Sequence, residues 1–409
     1  TIDLGGKNGI RAQDEALFDS SNIPTYNYRG YSYSADQGFN LLYGIEQVRG
    51  SDLEGDIIWG NSANNSIFGL GGNDTIYGVA GTNYLDGGAN NDTLFAGSGA
   101  DVMVGGSGDD LFKTYYNASG VDNTAKFGGV NTIYGGTVTL DGSGSVTASS
   151  ANGSDTVDYG VIVDNTYNTY NIFADLEGVT ANVEIRTGTT VIKADNVINV
   201  NNAIGTSGND IFRGNSFANT LNGLGGNNTA LYTITALTAG IVADLQAGEV
   251  TKTTASGTVK DTLINIQNLV GSNYDDYFIT KITENNIIDG GAHGVIGDTI
   301  DYSTNGASKI ILDLDVTHTT DFYGVGAIND GEYANAYIGN GTFVDKIKNI
   351  ENIKGSAGAD TIYGNSENNT IFGMGGNDTI YGVAGNNYID GGAGDDLIYS
   401  GIKADKLFG

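Results

Sequence analysis

The chain has 409 residues, of which 65 are glycine, one is proline and none is cysteine, and its formal net charge is −30 although only 16% of its residues are charged. An excess of carboxylates argues against a nucleic-acid-binding protein, which needs clustered Lys and Arg, and the lack of cysteine excludes disulfides and thiolate metal sites. Because 39% of the residues are hydrophobic, including 24 Tyr and 14 Phe, the sequence predicts a folded chain that takes a cation as counter-charge, not a disordered one.

The N-terminal residues 1–49 are predicted to form a β-rich segment. The stretch TIDLGGKNGIRAQDEALF has no basic run followed by an apolar run, and no apolar run in the chain is long enough to span a bilayer. The sequence therefore predicts neither a signal peptide nor a membrane span. Because the chain starts without Met and stops inside a repeat, we interpret it as a processed product or a fragment.

Residues 50–113 repeat a nine-residue phrase of glycines, an Asp or Asn, any residue, and an apolar residue. The Asp and Asn positions are nine residues apart throughout, namely Asp56, Asn65, Asp74, Asn83, Asp92, Asp101 and Asp110. The same period returns in residues 355–409, at Asp360, Asn369, Asp378, Asn387, Asp396 and Asp405. Residues 60–88 and 364–392 are identical at 24 of 29 positions, which indicates duplicated arrays.

The middle of the chain differs from the two arrays. Residues 205–229 and 271–300 hold short stretches of the repeat, whereas residues 114–204, 230–270 and 301–354 have alternating apolar residues that predict β-rich insertions. Four similar junctions, GIEQVRGS, VNNAIGTS, IQNLVGSN and IENIKGSA, lead into the repeats. Since the middle stretches are poorer in Asp, we expect weaker or absent metal there.

Two phrases, GGAGDDLIY at residues 391–399 and GGSGDDLFK at residues 105–113, match the nonapeptide G-G-x-G-x-D-x-U-x in full. The sequence thereby resembles the RTX family of secreted proteins. The resemblance implies an all-β fold of parallel β-roll segments, in which two nonapeptides form one turn, the x-U-x parts are short strands and the glycine-rich loops bind Ca²⁺. It says little about biological role, because the family includes toxins, proteases, lipases, epimerases, adhesins and surface-layer proteins.

Stacking of such turns explains the alternation of Asp and Asn. Two nonapeptides per turn place alternate loops on opposite rims, so that one rim carries Asp360, Asp378 and Asp396 and the other carries Asn369 and Asn387. Carboxylates stacked about 4.8 Å apart repel each other strongly unless a divalent cation lies between them. We therefore predict one calcium-binding rim and an opposite rim of neutral Asn side chains that form hydrogen bonds without metal.

The resemblance also implies which residues of each loop bind calcium. In the family, the Asp and the second and fourth carbonyls of one loop act with the first and third carbonyls and the Asp of the next loop on that rim. The residues predicted as metal ligands in the first array are Asp56, Leu70, Gly72, Asp74, Gly87, Gly88, Ala89, Asn90, Asp92, Asp101, Gly105, Ser107 and Asp110. Those in the middle and in the second array are Asp210, Ser356, Gly358, Asp360, Gly373, Met374, Gly375, Gly376, Asp378, Gly391, Ala393 and Asp396.

Two aromatic rows follow the strands of the arrays: Trp59, Tyr77 and Phe95 in the first, and Tyr363, Tyr381 and Tyr399 in the second. We predict that these rings point outward. They serve either as an interface for another chain or a sugar, or as cross-strand pairs that stabilise the sheet.

Catalysis finds little support in the sequence. His293 and His318 have no partner at metal spacing, and neither H-E-x-x-H nor G-x-S-x-G occurs. Asp313 and Asp315 lie two residues apart in a predicted strand and are expected to face solvent. The sequence therefore predicts no catalytic residue and no cofactor other than Ca²⁺.

Together these observations predict an extracellular, calcium-stiffened, all-β solenoid at the bacterial cell surface, exported by a type I route as the resemblance implies. Its predicted role is structural, in a surface layer, filament or matrix. The predicted partners are further copies or further domains of the same protein, with cell-surface polysaccharide as another candidate. Two alternatives stay open: the non-catalytic calcium-binding C-terminal region of a secreted enzyme, and an adhesin that binds sugar.

Overall fold

The structure of the chain is a computed structural model. It describes residues 2–3, 30–34, 38–42, 45–114, 129–140, 146–149, 153–160, 170–178, 182–281, 283–317, 332–339, 341 and 343–409. Most of the predicted N-terminal segment, and His318, lie outside the described residues. The chain divides into two compact units, Thr1–Asp210 and Ile211–Gly409.

The described part of the first unit contains 19 strands. These are β1 (Ile2–Asp3), β2 (Gly30–Ser34), β3 (Gly38–Leu42), β4 (Gln47–Arg49), β5 (Ile57–Trp59), β6 (Ser66–Gly71), β7 (Thr75–Tyr77), β8 (Tyr84–Ala89), β9 (Thr93–Phe95), β10 (Val102–Ser107), β11 (Leu111–Lys113), β12 (Thr132–Tyr134), β13 (Val138–Leu140), β14 (Val146–Ser149), β15 (Thr156–Asp158), β16 (Tyr170–Asp175), β17 (Val183–Thr187), β18 (Thr190–Ile198) and β19 (Asn202–Ile204).

Two parallel sheets make up the repetitive part of the first unit. In one sheet, β5, β7, β9, β11, β15 and β19 pair in parallel in that order. In the other, β4, β6, β8, β10, β12 and β18 do the same. The roll therefore continues past residue 113, because β12 and β15 add further rungs. Antiparallel pairs interrupt it at β1–β2–β3, β13–β14 and β16–β17–β18.

The core of the first unit is built from one side chain per short strand. In a three-residue strand the outer two side chains point away from the middle one, so only the middle residue faces inward. Ile58, Ile76 and Leu94 stack on one another and are fully buried, at 0% exposure. Ile67 and Leu85 form the matching row of the other sheet. The 18-residue register implied by two nonapeptides per turn is thus confirmed.

The described part of the second unit contains 20 strands and one short 3-10 helix, Ser303–Asn305. The strands are β20 (Ile211–Arg213), β21 (Thr220–Asn222), β22 (Thr229–Leu231), β23 (Val242–Asp244), β24 (Glu249–Thr254), β25 (Gly257–Ile264), β26 (Asn268–Val270), β27 (Tyr277–Ile279), β28 (Ile287–Asp289), β29 (Thr299–Asp301), β30 (Ile310–Asp313), β31 (Ala334–Ile338), β32 (Phe343–Lys348), β33 (Asn352–Lys354), β34 (Thr361–Tyr363), β35 (Thr370–Phe372), β36 (Thr379–Tyr381), β37 (Tyr388–Asp390), β38 (Leu397–Tyr399) and β39 (Lys406–Phe408).

Two antiparallel meanders are built into the parallel ladders of the second unit. In the first, β24 pairs with both β23 and β25, while β25 pairs in parallel with β21 and β23 pairs in parallel with β27. In the second, β31 pairs with both β30 and β32, while β32 pairs in parallel with β28 and β30 with β34. The outer strands of each meander thereby continue the ladder on either side, and the roll is interrupted without losing its backbone hydrogen bonds.

The last turns of the second unit are the most regular. Ile362 and Ile380 stack in one sheet, Ile371 and Ile389 stack in the other, and all four are fully buried. The predicted all-β fold, a parallel β-roll interrupted by β insertions, is confirmed; the predicted segment boundaries stay a prediction. The described residues contain no helix with the length and apolarity that a membrane crossing requires.

Candidate metal centre

A ladder of aspartates runs along one rim of the first unit. The backbone N–H of Asp56 donates to Asp74 Oδ1 at 2.6 Å, that of Asp74 to Asp92 Oδ1 at 2.7 Å, and that of Asp92 to Asp110 Oδ1 at 2.8 Å. Asp110 continues the ladder to Asp155 Oδ1 at 2.9 Å. Each carboxylate is thus held by the amide of the turn before it, which leaves its second oxygen for the loop.

The second oxygen, Oδ2, is buried and has no hydrogen-bond donor at seven described aspartates. They are Asp74, Asp92, Asp110 and Asp155 in the first unit and Asp298, Asp378 and Asp396 in the second. A buried acceptor without a donor costs about 1–3 kcal/mol, and a charged one costs more. A row of such oxygens therefore indicates that a cation belongs beside them.

Glycines leave the space into which these oxygens point. A Cβ added to Gly87 would overlap Asp92 Oδ2, and one added to Gly373 would overlap both Asp378 Oδ2 and the carbonyl oxygen of Gly391. The carboxylate of one loop and the first carbonyl of the next loop therefore converge on one place. Carboxylate and backbone carbonyl oxygens are the ligands that Ca²⁺ prefers.

The backbone of the loops alternates in handedness. Leu70 and Gly72 have φ of 80° and 102°, and Met374 and Gly376 have φ of 74° and 109°. These are the second and fourth positions of their loops, where most L-residues are strained. Alternation of this kind turns successive peptide planes in opposite directions, so one loop offers carbonyls both to the turn before it and to the turn after it.

Electrostatics make the Asp ladder unfavourable without a counter-charge. Burial raises the pKa of Asp92 and of Asp155 to about 8, and that of Asp378 to about 7. The carboxylates of Asp110 and Asp74 raise the pKa of Asp92 further. Ionisation of the whole ladder at neutral pH therefore requires a cation that offsets both desolvation and mutual repulsion.

The opposite rim is closed by amides. Asn83 Nδ2 donates to the carbonyls of Gly78 and Ala80 at 3.1 and 3.0 Å, which are the first and third carbonyls of its own loop. Asn387 Nδ2 makes the equivalent bonds to Gly382 and Ala384 at 2.8 and 2.9 Å. The hydrogen bonds predicted for the Asn rim are therefore present, and the absence of metal from this rim stays a prediction.

Asp101 lies on this Asn rim, and the structure does not support its prediction as a metal ligand. Its Oδ2 accepts the N–H of Gly97 at 2.6 Å, and its Oδ1 accepts both the backbone N–H and the Nδ2 of Asn83 at 2.7 and 3.0 Å. Because N–H donors contact both oxygens, Asp101 resembles its Asn neighbours more than the Asp ladder.

Loops that begin Gly-Ser or Gly-Thr satisfy their aspartate in a third way. Asp360 Oδ2 accepts the N–H of Ser356 at 2.6 Å, and its Oδ1 accepts Ser356 Oγ at 2.8 Å and the N–H of Ile310 at 2.7 Å. Asp210 has the same arrangement with Thr206 and Ile172. The structure therefore does not place Asp210 or Asp360, predicted as metal ligands, with an oxygen that lacks a donor.

Neighbouring residues in these loops follow the same pattern. Ser356, predicted to offer its carbonyl, instead uses its hydroxyl for Asp360, and Gly358 donates its N–H to that hydroxyl at 3.0 Å. Asp56 Oδ2 accepts the N–H of Ser51 at 2.8 Å. The first loop of each array is therefore held by the hydroxyl or amide of a serine at its second position.

The carbonyls predicted as ligands are brought together in pairs of loops. In the first array, Leu70 pairs in parallel with Gly88, and Ala89 pairs with Ser107. In the second array the N–H of Ala393 donates to the carbonyl of Met374 at 3.0 Å. A carbonyl oxygen has two lone pairs, so acceptance of one N–H leaves a second for a cation. The assignment of individual carbonyls stays a prediction.

Asp155 and Asp298 were not predicted as ligands, because insertions break the nonapeptide before each of them. Gly135 and Asp155 belong to one loop, interrupted by β13 and β14, and the loop from Gly290 to Asp298 is longer than the regular loop from Gly373 to Asp378. Both sequences keep the last part of the repeat, a Gly followed by Asp, Thr and an apolar residue, as GSDTV and GDTI. The pattern Asp, Thr, apolar therefore marks the start of a strand even where the glycine-rich part of the nonapeptide is interrupted.

Backbone atoms must provide most of any cation's ligands. Among the described residues, no group of three or more His, Cys, Asp or Glu side chains is placed to hold a metal ion. This agrees with loops that each contribute one carboxylate and several carbonyls.

Comparison with known families agrees with this geometry. The family described as the RTX calcium-binding nonapeptide repeat (4 copies) matches residues 52–85, 77–112, 204–230, 349–380 and 372–407. The chain carries RTX repeats. These ranges cover about a third of its 409 residues. They include five of the seven aspartates whose buried Oδ2 has no donor, namely Asp74, Asp92, Asp110, Asp378 and Asp396, and they exclude Asp155 and Asp298. RTX nonapeptide repeats bind Ca²⁺, and a search of curated proteins finds no match to the chain.

The outward aromatic rows accompany the RTX repeats as stacked rings. Ring centroids are 3.7 Å apart between Trp59 and Tyr77 and 4.5 Å apart between Tyr381 and Tyr399, with the planes within 8° and 4° of parallel. Such pairs stabilise adjacent strands. Their role as an interface stays a prediction.

The remaining residues considered for catalysis are His293, which lies in the Gly290–Asp298 loop, and Asp313 with Asp315. The side chain of His293 is 42% exposed, and its Nε2 lies 3.7 Å from Glu351 Oε1. Asp313 is fully buried, and its Oδ1 accepts the N–H of Asp315 at 2.9 Å. The expectation that both aspartates face solvent is wrong for Asp313, because the strand that carries it lies inside a meander.

A methyl group added at the first glycine of a loop should weaken calcium binding on the Asp rim but not on the Asn rim. Gly373→Ala would put a methyl group against Asp378 Oδ2 and the Gly391 carbonyl, so we expect calcium affinity to fall at least about tenfold, or about 1.4 kcal/mol. The matched control is Gly382→Ala on the Asn rim, where the nearest atoms to the new methyl are Asn387 Nδ2 at 2.9 Å and Gly401 N and Ile389 Cδ1 at 3.1 Å, and none of them is a carboxylate or carbonyl oxygen. Calcium titration by calorimetry on the full chain measures both; equal losses in the two variants would contradict the site.

Proposed function

We propose that the protein is an extracellular structural protein whose β-rolls fold and stiffen when Ca²⁺ binds beside the stacked aspartates of successive turns. The observation that carries the proposal is the row of buried Oδ2 atoms without donors in successive turns. Calcium would supply positive charge between stacked carboxylates, and the chain's own residues supply the rest: Asp74, Asp92 and Asp110 present oxygens, and the glycines leave the space for them.

Binding and folding are coupled because the oxygens of one site come from different turns. Asp378 Oδ1 is positioned by the amide of Asp360, and the amide of Asp378 positions Asp396 Oδ1. In an unfolded chain these groups are 18 residues apart and form no site. Millimolar extracellular calcium therefore favours the folded roll, while low cytosolic calcium would leave the chain extended enough for export by a type I route.

A structural role follows from the stacked arrangement. Each turn of a solenoid contacts only its neighbours, so its stiffness depends on every interface between turns. Cations spaced along one rim strengthen those interfaces one by one. A rod that is soft without calcium and stiff with it suits a surface layer, filament or matrix.

We infer that exposed apolar side chains on β38 and β39 contact further repeats of the same protein or a second copy of the chain. On β39, Leu407 and Phe408 are 43% and 49% exposed, and on β38, Leu397 and Tyr399 are 50% and 45% exposed. A parallel strand with an open edge and apolar side chains pairs readily with another strand. Further repeats of the same protein or a second copy of the chain would cover it.

Self-association is the testable part of this role. With calcium present, we expect the full chain to form particles that grow with protein concentration, and with chelator we expect them to dissociate. Light scattering measures particle mass, and electron microscopy shows whether the particles are elongated. The variant Phe408→Asp is the control, because it places charge on the outward face of β39 and should reduce growth, while Leu407 keeps its place in the inward row with Ile389. Strict monomers at high concentration in calcium would count against assembly through this edge.

A further inference from the structure

A fully buried lysine lies in the second unit, in a chain that is otherwise rich in carboxylates. The side chain of Lys252, on β24, is 0% exposed. Its Nζ lies 2.7 Å from the carbonyl oxygen of Asn215, 2.8 Å from Asn219 Oδ1, and 2.7 and 2.8 Å from the two oxygens of Asp261. An ammonium group with four oxygens around it is positioned like a bound cation.

The oxygens around Lys252 are those that a repeat loop offers to metal. Asn215 and Asn219 are the second and sixth residues of the loop GNSFAN, and Asp261 occupies the next turn. The N–H of Asn219 donates to Asp261 Oδ1 at 2.8 Å, as the N–H of Asp56 does to Asp74 Oδ1. A Cβ added to Gly214, the first residue of the loop, would overlap Asn219 Oδ1 and lie 3.6 Å from Nζ.

We propose that Lys252 is a built-in cation that occupies the metal position of this loop, so that this turn of the roll folds without calcium. If a shorter side chain replaced Lys252, the space left by the ammonium group would accept a free cation. Lys252 belongs to β24 of the inserted meander and not to a repeat, and the meander brings its side chain to the loop from Gly214 to Asn219.

The charge of the site suits a monovalent cation. Asp261 provides one carboxylate, whereas Asn219 is neutral, so a single ammonium balances the site. The hydroxyl of Tyr232 donates to Asp261 Oδ2 at 3.1 Å. The equivalent Oδ2 atoms of the Asp ladder, such as that of Asp92, have no donor. Burial lowers the pKa of Lys252, and contact with Asp261 opposes that shift. The pair is therefore a compensated buried charge and not a surface ion pair.

A related arrangement occurs in the first unit. There the N–H of Asn131 donates to Asp195 Oδ1 at 2.7 Å, the hydroxyl of Tyr159 donates to Asp195 Oδ2 at 3.1 Å, and Lys193 Nζ lies 3.0 Å from Asp195 Oδ1. The side chain of Lys193 is 5% exposed. A buried aspartate with a tyrosine and a lysine thus closes a turn twice in the chain.

The experiment removes the ammonium and asks whether another cation replaces it. Hydrogen exchange of the full chain, read by mass spectrometry on peptides that cover β21 and β25, reports this turn separately from the arrays. In chelator we expect Lys252→Ala to reduce protection of these strands by about two to three orders of magnitude. The control is Lys260→Ala on β25, whose side chain is 62% exposed and pairs with Glu249, and we expect no comparable loss.

Rescue distinguishes a cation position from ordinary packing. Calcium chloride or ammonium chloride should restore protection in Lys252→Ala, where space is open, but not in Lys252→Met, where the side chain still occupies it. Rescue by calcium would show a divalent preference and rescue by ammonium a monovalent one, and both support the proposal. Failure of both salts to restore Lys252→Ala, or equal restoration of the two variants, overturns it.

A second comparison holds even if the single variants fold poorly. Combining Lys252→Met with Asp261→Asn removes both charges, so protection should exceed that of Lys252→Met alone. A double variant no more protected than the single one overturns the proposal. Because Lys252 lies outside residues 50–113 and 355–409, either result leaves the calcium role of the two arrays as a separate question.

Discussion

Removal of calcium is expected to abolish most of the β-sheet signal of residues 50–113 and 355–409. At a calcium concentration 100 times the dissociation constant, each site stabilises the folded state by about 2.7 kcal/mol. Since a domain has a net stability of only about 5–15 kcal/mol, loss of several sites is enough to unfold an array. Far-ultraviolet circular dichroism with chelator should show the loss, and added calcium should reverse it. Added magnesium should not, because it demands regular octahedral geometry and dehydrates reluctantly.

The middle of the chain provides an internal control for this prediction. Between residues 205 and 270, Asp210 is held by the Thr206 hydroxyl, Asn228 Nδ2 donates to the Gly225 carbonyl at 2.9 Å, and the Lys252 ammonium contacts the loop between them. Hydrogen exchange should therefore show that this region keeps its protection in chelator while the arrays lose theirs. A chain that is equally protected throughout in chelator would contradict calcium-coupled folding.

The repetitive half of the fold could be predicted from the sequence because it depends on a local period. A nine-residue spacing places Ile362 and Ile371 on opposite sheets, and an 18-residue register stacks Ile362 on Ile380. Each relation depends only on residues within two turns, so a single sequence is sufficient. The division of Asp and Asn between two rims follows from the same spacing.

The remaining features depend on contacts between residues distant in sequence. Ile310, in a meander, donates to Asp360 from 50 residues away, and Lys252 reaches Asn215 from 37 residues away. No period links such residues, so the sequence could not show that Asp360 is satisfied while Asp378 is not. The serine at the second position of the Asp360 loop was a usable local signal, since a hydroxyl there competes for the carboxylate.

The loops share one structural problem and solve it in four ways, three with a hydrogen-bond donor and one without. An oxygen at the end of each loop is buried beside glycine, and it must meet positive charge or an N–H or O–H group. The side-chain amide of Asn387 donates to its own loop. Asp360 accepts from the hydroxyl and the backbone N–H of Ser356, and Asp261 accepts from the ammonium of Lys252. Oδ2 of Asp92 and Oδ2 of Asp378 have no donor, and we propose that calcium binds there. The choice among these four decides which turns respond to calcium.

Exchange of Asp and Asn between the rims should reverse the calcium response of single loops. Asp378→Asn keeps an oxygen for the N–H of Asp360, and its new Nδ2 replaces the buried oxygen that has no donor. We therefore expect lost calcium binding at the sites shared with Asp360 and Asp396, together with a free energy of unfolding in chelator that rises by about 1–3 kcal/mol.

The opposite exchange, Asn369→Asp, is the matched control nine residues away. Asn369 Nδ2 donates to the carbonyl of Glu351 at 2.9 Å and to Asn365 Oδ1 at 3.2 Å, and a carboxylate in its place can make neither bond. The free energy of unfolding should fall by about 1–3 kcal/mol, with little gain in calcium affinity because no second carboxylate follows at Asn387. Calorimetric titration of the full chain with calcium measures the affinity. Urea unfolding at a fixed calcium concentration that keeps the parent array folded measures the loss in Asn369→Asp, and residual circular dichroism signal in chelator measures the gain in Asp378→Asn. If Asp378→Asn kept full stoichiometry and affinity, or if Asn369→Asp lost as much calcium as Asp378→Asn, the two rims would not differ in function.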